Sequence, residues 1–146
     1  MLLLAVPKKL FKDEKFGFSV HSIKKGLHKT NTAPCIPLET FKDMPFIFLK
    51  QENDTGRRAK QLCKKHGFTP KVLFELDQQV TAHNISLTGM GISFVSDTLI
   101  EGLSGEKDIL YYKLSDSEIN RNIYFYVKSN RYLSTACKTF IDVLSE

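Results

Sequence analysis

Residues 46–95 begin Phe46-Ile47-Phe48-Leu49, pass through His66-Gly67-Phe68-Thr69-Pro70 and end Gly89-Met90-Gly91-Ile92-Ser93-Phe94-Val95. Read in order, they spell strand, helix, strand, helix, strand. The opening apolar run has the pattern of a strand covered on both faces. A polar turn, Lys50-Gln51-Glu52-Asn53-Asp54, leads into a helix predicted over 55–66. Its apolar positions are Ala59, Leu62, Cys63 and the stem of His66, at spacings of three, four and seven. Gly67 supplies the left-handed residue that ends the helix, Phe68 folds back, and Pro70 forbids continuation. Residues 71–76 read as the next strand, with Asp77 as N-cap of a helix over 78–88. Gly89 stops that helix, and Gly91 lets the chain turn into a strand over 92–95. The alternation defines a small open α/β lobe whose strand ends face a cleft.

Outward from this run, residues 2–6 form a second continuous apolar strand. An irregular excursion over 8–37 holds Gly17, Gly26, Pro34 and Pro37, with a little structure of its own around 16–20. Residues 38–42 suit one helical turn before Pro45 resets the backbone to extended. On the other side, 109–114 and 123–128 read as strands, and Tyr111, Tyr112, Tyr124 and Tyr126 most simply belong to them. Ser134 is expected to cap a final helix with the apolar stripe Ala136, Cys137, Phe140, Ile141 and Leu144. Such a stripe calls for a neighbouring surface to cover.

With 146 residues the chain fits one ordinary domain. The net charge of +5 is mild. Much of the excess lies between Lys8 and Lys29, a solvated loop more readily than a phosphate-binding arm, and no nucleic-acid-binding signature accompanies it. Cys35, Cys63 and Cys137 lie far apart, which suits reduced thiols and neither a disulfide framework nor a metal site. The histidines are equally scattered, so neither a metal nor a cofactor is expected. The apolar start at 1–6 falls well short of the ~20 residues a membrane span needs and lacks the marks of a signal peptide. A cytoplasmic location is the default.

Little in the chain suggests catalysis. Cys63 and His66 lie one turn apart, but no orienting group is evident and both fall on the face expected to be buried. Thr55, Gly56, Arg57 and Arg58 could clamp an anion at a helix start. Exposure of both arginines is the simpler reading, since the apolar stripe begins only at Ala59. His83 and Asn84 read as a partly exposed helix face.

The order and spacing of several blocks resemble one family. The blocks are Leu3-Leu4-Ala5-Val6-Pro7, the stretch from Leu38-Glu39-Thr40-Phe41 to Leu49, His66-Gly67-Phe68-Thr69-Pro70, and Phe74-Glu75-Leu76-Asp77. Gly89-Met90-Gly91-Ile92-Ser93-Phe94 and Lys128-Ser129-Asn130-Arg131-Tyr132-Leu133-Ser134 complete the set. Together they resemble the effector-binding domain of LysR-type transcriptional regulators, although Ser96-Asp97 stands where that family usually has a proline. The resemblance implies a lobe like those of type 2 periplasmic binding proteins, a mixed sheet flanked by helices, plus returning strands and a C-terminal helix of the other lobe. Residues 1–7 would be a crossing strand, 8–110 the second lobe and 111–146 the return toward the first lobe. The DNA-binding winged helix would lie outside this chain, making it the C-terminal part of an effector-binding domain.

In open α/β sheets ligands bind beyond the carboxyl ends of the strands. The expected second-lobe wall is therefore Lys50, Gln51, Glu52, Asn53, Leu76, Asp77, Gln78, Val95 and Ser96. Two of these turns open helices, whose free N–H groups suit an anion. The competing reading is that Asp77 and Asn53 or Asp54 merely cap helices. Glu52 and Asp77 disfavour a simple dicarboxylate. The resemblance implies a small-molecule effector, a homo-oligomer and no enzymatic activity. With one wall of the cleft in hand, weak effector binding is expected, and exposed apolar faces predict self-association. The alternative function is a solute-binding protein of a transport system with the same fold.

Overall fold

The computed structural model of the chain describes residues 1–105, 108–122, 124–130 and 132–145. Its centre is one mixed six-stranded sheet. The strands are β1 (Leu2–Pro7), β2 (Gly17–Phe18), β3 (Pro45–Leu49), β4 (Lys71–Leu76), β5 (Ile92–Ser96) and β6 (Ile109–Tyr112). They lie in the order β2-β6-β1-β5-β3-β4. β3 runs parallel to β4 and β5, while β1 is antiparallel to β5 and β6. Among the described residues five α-helices accompany the sheet: α1 (Val20–Lys24), α2 (Asp54–Lys65), α3 (Gln79–Leu87), α4 (Asp97–Glu101) and α5 (Thr135–Ser145).

The continuous apolar runs have a direct cause. Successive strand side chains point to opposite faces, and here both faces are covered. Leu2, Leu4 and Val6 of β1 join Phe46, Phe48, Ile92 and Phe94 on the face packed by Ala59, Leu62 and Cys63 of α2. Leu3 and Ala5 face the other way, toward Val20 and Ile23 of α1 and Ile100 of α4. Ile47 and Leu49 meet Ala82 of α3 on that same opposite face of the sheet. Phe46, Phe48 and Phe94 form a ring cluster with centroids 5.5–6.2 Å apart, each ring contributing roughly 1.5–3 kcal/mol through burial.

The glycine stops behave as the sequence implies: Gly67 and Gly89 have φ of 70° and 84°. Gly91 has no positive φ; its role is close approach, since a Cβ there would lie 2.9 Å from the Pro45 carbonyl oxygen.

Four expectations are corrected. Residues 124–128 form no strand; Tyr124, Phe125, Tyr126 and Val127 are exposed, and Ile123 lies outside the described residues. β-propensity expresses fit to a half-buried pleated surface, and no described strand lies alongside. Asp77 does not cap α3, because Gln78 holds the N-cap position and Asp77 turns instead to Lys50. His83 is fully buried rather than on an exposed face, stacked on Tyr111 and 2.8 Å from its hydroxyl. Arg58 is mostly covered, with 20% side-chain exposure, because it reaches across to the chain after β6.

Candidate functional site

The carboxyl ends of β3, β4 and β5 lie in a row, and polar side chains stitch them together. Beyond β4, the Lys50 main-chain N–H donates to the Leu76 carbonyl at 2.9 Å. The Lys50 ammonium lies 2.9 Å from the Asp77 carboxylate, which raises its pKa. Asn53 caps α2, its side-chain oxygen accepting from the Thr55 N–H at 2.9 Å. Nearer β5, the Gln79 amide donates to Thr55 Oγ1 at 3.3 Å. Its carbonyl accepts from the Ser96 N–H at 3.1 Å and the Ser96 hydroxyl at 2.8 Å. Gln79 thus fixes the start of α2 relative to the end of β5. The sequence reading stopped one residue short of it.

Gly56 sets the depth of this arrangement. A Cβ at this position would collide with the carbonyl oxygens of Leu49 and Lys50. Only glycine lets α2 begin directly against the end of β3.

A cleft of about 210 Å³ opens between the end of β5, the start of β1 and the start of α2. Thr55, Arg58, Ser96, Asp97, Thr98 and Arg121 are among its lining residues. Of the wall expected from sequence, Ser96 alone lines this cleft. Lys50, Gln51, Glu52, Asp77 and Gln78 lie exposed on the β3 and β4 side, Asn53 is used in capping, and Leu76 is half-buried. Val95 is fully buried in the core with Ile100 and Ile109.

Asp97 is the buried charge beside the cleft. Burial opposes its ionisation, but hydrogen bonds from the Met1 main-chain nitrogen at 2.8 Å and from His28 at 3.2 Å outweigh that. Lys29 at 3.5 Å adds to them, and the pKa comes down to about 2. The same burial lowers the pKa of His28.

The other edge of the cleft belongs to a strap, residues 113–121, that follows β6 and crosses α2. Leu114 bridges to Ile36, and Ile119 of the strap is buried in the core cluster that includes Ala59 and Leu62 of α2. Asp116 meets His66 at 2.8 Å, and Glu118 meets Lys65 at 2.7 Å. Arg58 donates to the carbonyls of Glu118 and Asn120, and Arg121 lies 3.3 Å from Asp54.

Among the described residues the arrangement offers donors and hydroxyls but no reactive centre. Burial pushes the Cys63 thiol up to about 12, so it is protonated at neutral pH. His66 faces carboxylates rather than Cys63. Among the described residues no cluster of His, Cys, Asp and Glu is arranged to hold a metal. Nor is any described helix long and apolar enough to cross a membrane.

Sheet and flanking helices define the class first: a mixed α/β fold like that of type 2 periplasmic binding proteins. The profile of the LysR substrate binding domain matches residues 28–146, and the chain belongs to that family. In Bacillus subtilis (strain 168) it resembles two uncharacterized HTH-type transcriptional regulators. YcgK is 26% identical over 115 residues, covering 77% of this chain and 34% of the relative. YybE is 28% identical over 132 residues, covering 90% and 42%. The chain therefore spans about a third to two fifths of these relatives. Solved structures that share its fold include the following two. The regulatory domain of Synechocystis PCC6803 CcmR, in complex with 2-PG, gives a TM-score of 0.65 at 19% identity and covers 98% of this chain and 60% of that one. CbnR, a LysR family transcriptional regulator, gives 0.56 at 16% identity, covering 81% and 35%. The relatives are regulators and not enzymes, and the transport alternative is not favoured.

Proposed function

We propose that this chain is the effector-sensing part of a cytoplasmic LysR-type transcription regulator that binds a small, anionic co-inducer between two lobes. Residues 1–7 are then a crossing strand, 8–110 the second lobe, and 111–146 the return toward the first. DNA is contacted through a winged-helix domain outside this sequence. The observation that carries the reading is the cleft where Ser96, Thr98 and Thr55 converge beyond the strand ends, with Gln79 holding its sides in register. Open α/β sheets bind ligands at that end, and small-molecule sites combine a concave surface with a few fixed polar groups. The wall expected from sequence, Lys50 to Asn53 and Leu76 to Gln78, sits at the ends of the neighbouring strands β3 and β4 and does not line this cleft. That CcmR was solved with 2-PG bound accords with such a ligand class.

Self-association is part of the proposal. β4 is one of the two edge strands of the described sheet, and its Val72, Leu73 and Phe74 are 38%, 40% and 39% exposed. An exposed apolar edge readily pairs with another chain. Saturation-transfer NMR with a panel of small organic acids tests the effector reading and detects weak binding. Transfer to at least one acid, weakened by Ser96→Ala, supports it. Binding that is indifferent to this substitution would count against the cleft.

A further inference from the structure

The strap delivers a cation to the cleft from outside the lobe. It runs antiparallel to α2, from Asp116 against His66 at the C-terminal end of the helix to Arg121 against Asp54 at its first residue. Arg58, one turn into α2, holds the same end of the strap through the carbonyls of Glu118 and Asn120. Both arginines line the cleft. Among the described residues one carboxylate serves the pair: Asp54 Oδ2 lies 3.3 Å from Arg121 and 3.9 Å from Arg58. Arg57 takes the other oxygen of Asp54. Asp97, the acid inside the cleft, already faces the Met1 nitrogen and Lys29 and accepts a hydrogen bond from His28. The mouth is left with positive charge in excess.

We propose that Arg58 and Arg121 together take the anionic end of the effector, with Asp54 as the internal carboxylate that the effector displaces from them. A guanidinium offers five donors in a planar fork matched to carboxylate or phosphate. Arg58 spends its Nη2 on the strap carbonyls and keeps its other edge for an anion. Arg121 is 61% exposed and exchanges one carboxylate for another without losing burial. The cleft holds roughly seven waters' volume, which suits a small acid. Because Arg121 ends the strap, an anion held by both arginines ties the lobe to the segment that follows. Occupancy of the cleft and position of the strap become one event.

This assignment rests on the effector reading above but fails separately from it. The test titrates ¹⁵N-labelled protein with malonate, benzoate and inorganic phosphate at fixed ionic strength, following backbone amides and arginine Nε–H signals. The expected result is saturable shifts at Arg58, Arg121 and Ser96 with at least one probe. Arg121→Gln should weaken that binding about tenfold, as loss of a charge-assisted hydrogen bond implies. Asp54→Asn should strengthen it, and Lys42→Gln, at an exposed lysine that does not line the cleft, should leave it unchanged. Arg121 is exposed, so its variant folds even if Arg58→Gln does not. Saturable binding at the strand ends that ignores both Arg121→Gln and Asp54→Asn overturns the arginine assignment and leaves the effector site standing. No saturable shift near the cleft with any probe overturns both.

Discussion

The Nε2 atom of His66 lies 2.8 Å from Asp116 Oδ2, joining the end of α2 to the strap across 50 residues of sequence. On its other side, Nδ1 lies 2.6 Å from Glu39 Oε1. With a carboxylate at each nitrogen the ring is favoured as an imidazolium. Glu39 first, and then Asp116 against the opposing effect of burial, raise its pKa above 6.5.

A group with a raised folded-state pKa stabilises fully below its unfolded pKa, and that contribution is lost as pH rises through the folded value. Stability measured by urea midpoint should therefore fall as pH is raised from about 6.5 upward, and His66→Gln should flatten this limb. Parallel profiles for the two proteins would remove His66 as the cause.

His28 should behave with the opposite sign. It is fully buried, Nε2 faces Asp97, and Nδ1 has no partner among the described residues. Protonation would place an unmatched N–H in the core, and burial lowers the pKa below 6.5. Its contribution is present at higher pH and lost as pH falls through the folded value. In a histidine NMR titration, His28 should inflect below 6.5 and His66 above it. The reverse order would contradict both assignments.

Gly56→Ala should destabilise the protein by about 1–3 kcal/mol, as overpacking against backbone does, because the new Cβ meets the Leu49 and Lys50 carbonyls. Gly105→Ala, with nothing within 4 Å, is the matched control and should be near neutral. Equal denaturation midpoints for both variants would mean that α2 does not need its close seat on β3.

Phe74→Lys, on the exposed edge strand, should shift any self-association seen by sedimentation velocity toward the monomer, with little cost in stability. An unchanged distribution would place the contact elsewhere, the exposed face of α5 with Phe140 and Leu144 being the next apolar surface.

What was legible in the sequence was local. The helix stop at Gly67, the reversal at Gly89 and the apolar runs of β1, β3 and β5 follow from short-range pattern, and that pattern carries the fold. The misread residues were those whose partners are distant. Asp77 was expected to cap α3, but Lys50, 27 positions away, takes its carboxylate. His83 read as surface because nothing nearby announced the Tyr111 hydroxyl, 28 positions on. Arg58 read as exposed because the strap that covers it lies 60 residues downstream. That a cleft opens beyond the strand ends was readable from topology. Its lining was not, since Arg121 reaches it only by the path the chain takes after β6.

The central claim is that a small acid is held at the end of β5 beside the start of α2. The most direct measurement is an amide shift map with the strongest acid from the ligand panel at saturation. The account predicts the largest changes at Thr55, Gln79, Ser96 and Thr98. Changes centred instead on the aromatic groove of Phe125, Tyr132 and Phe140, with the strand ends silent, would contradict it.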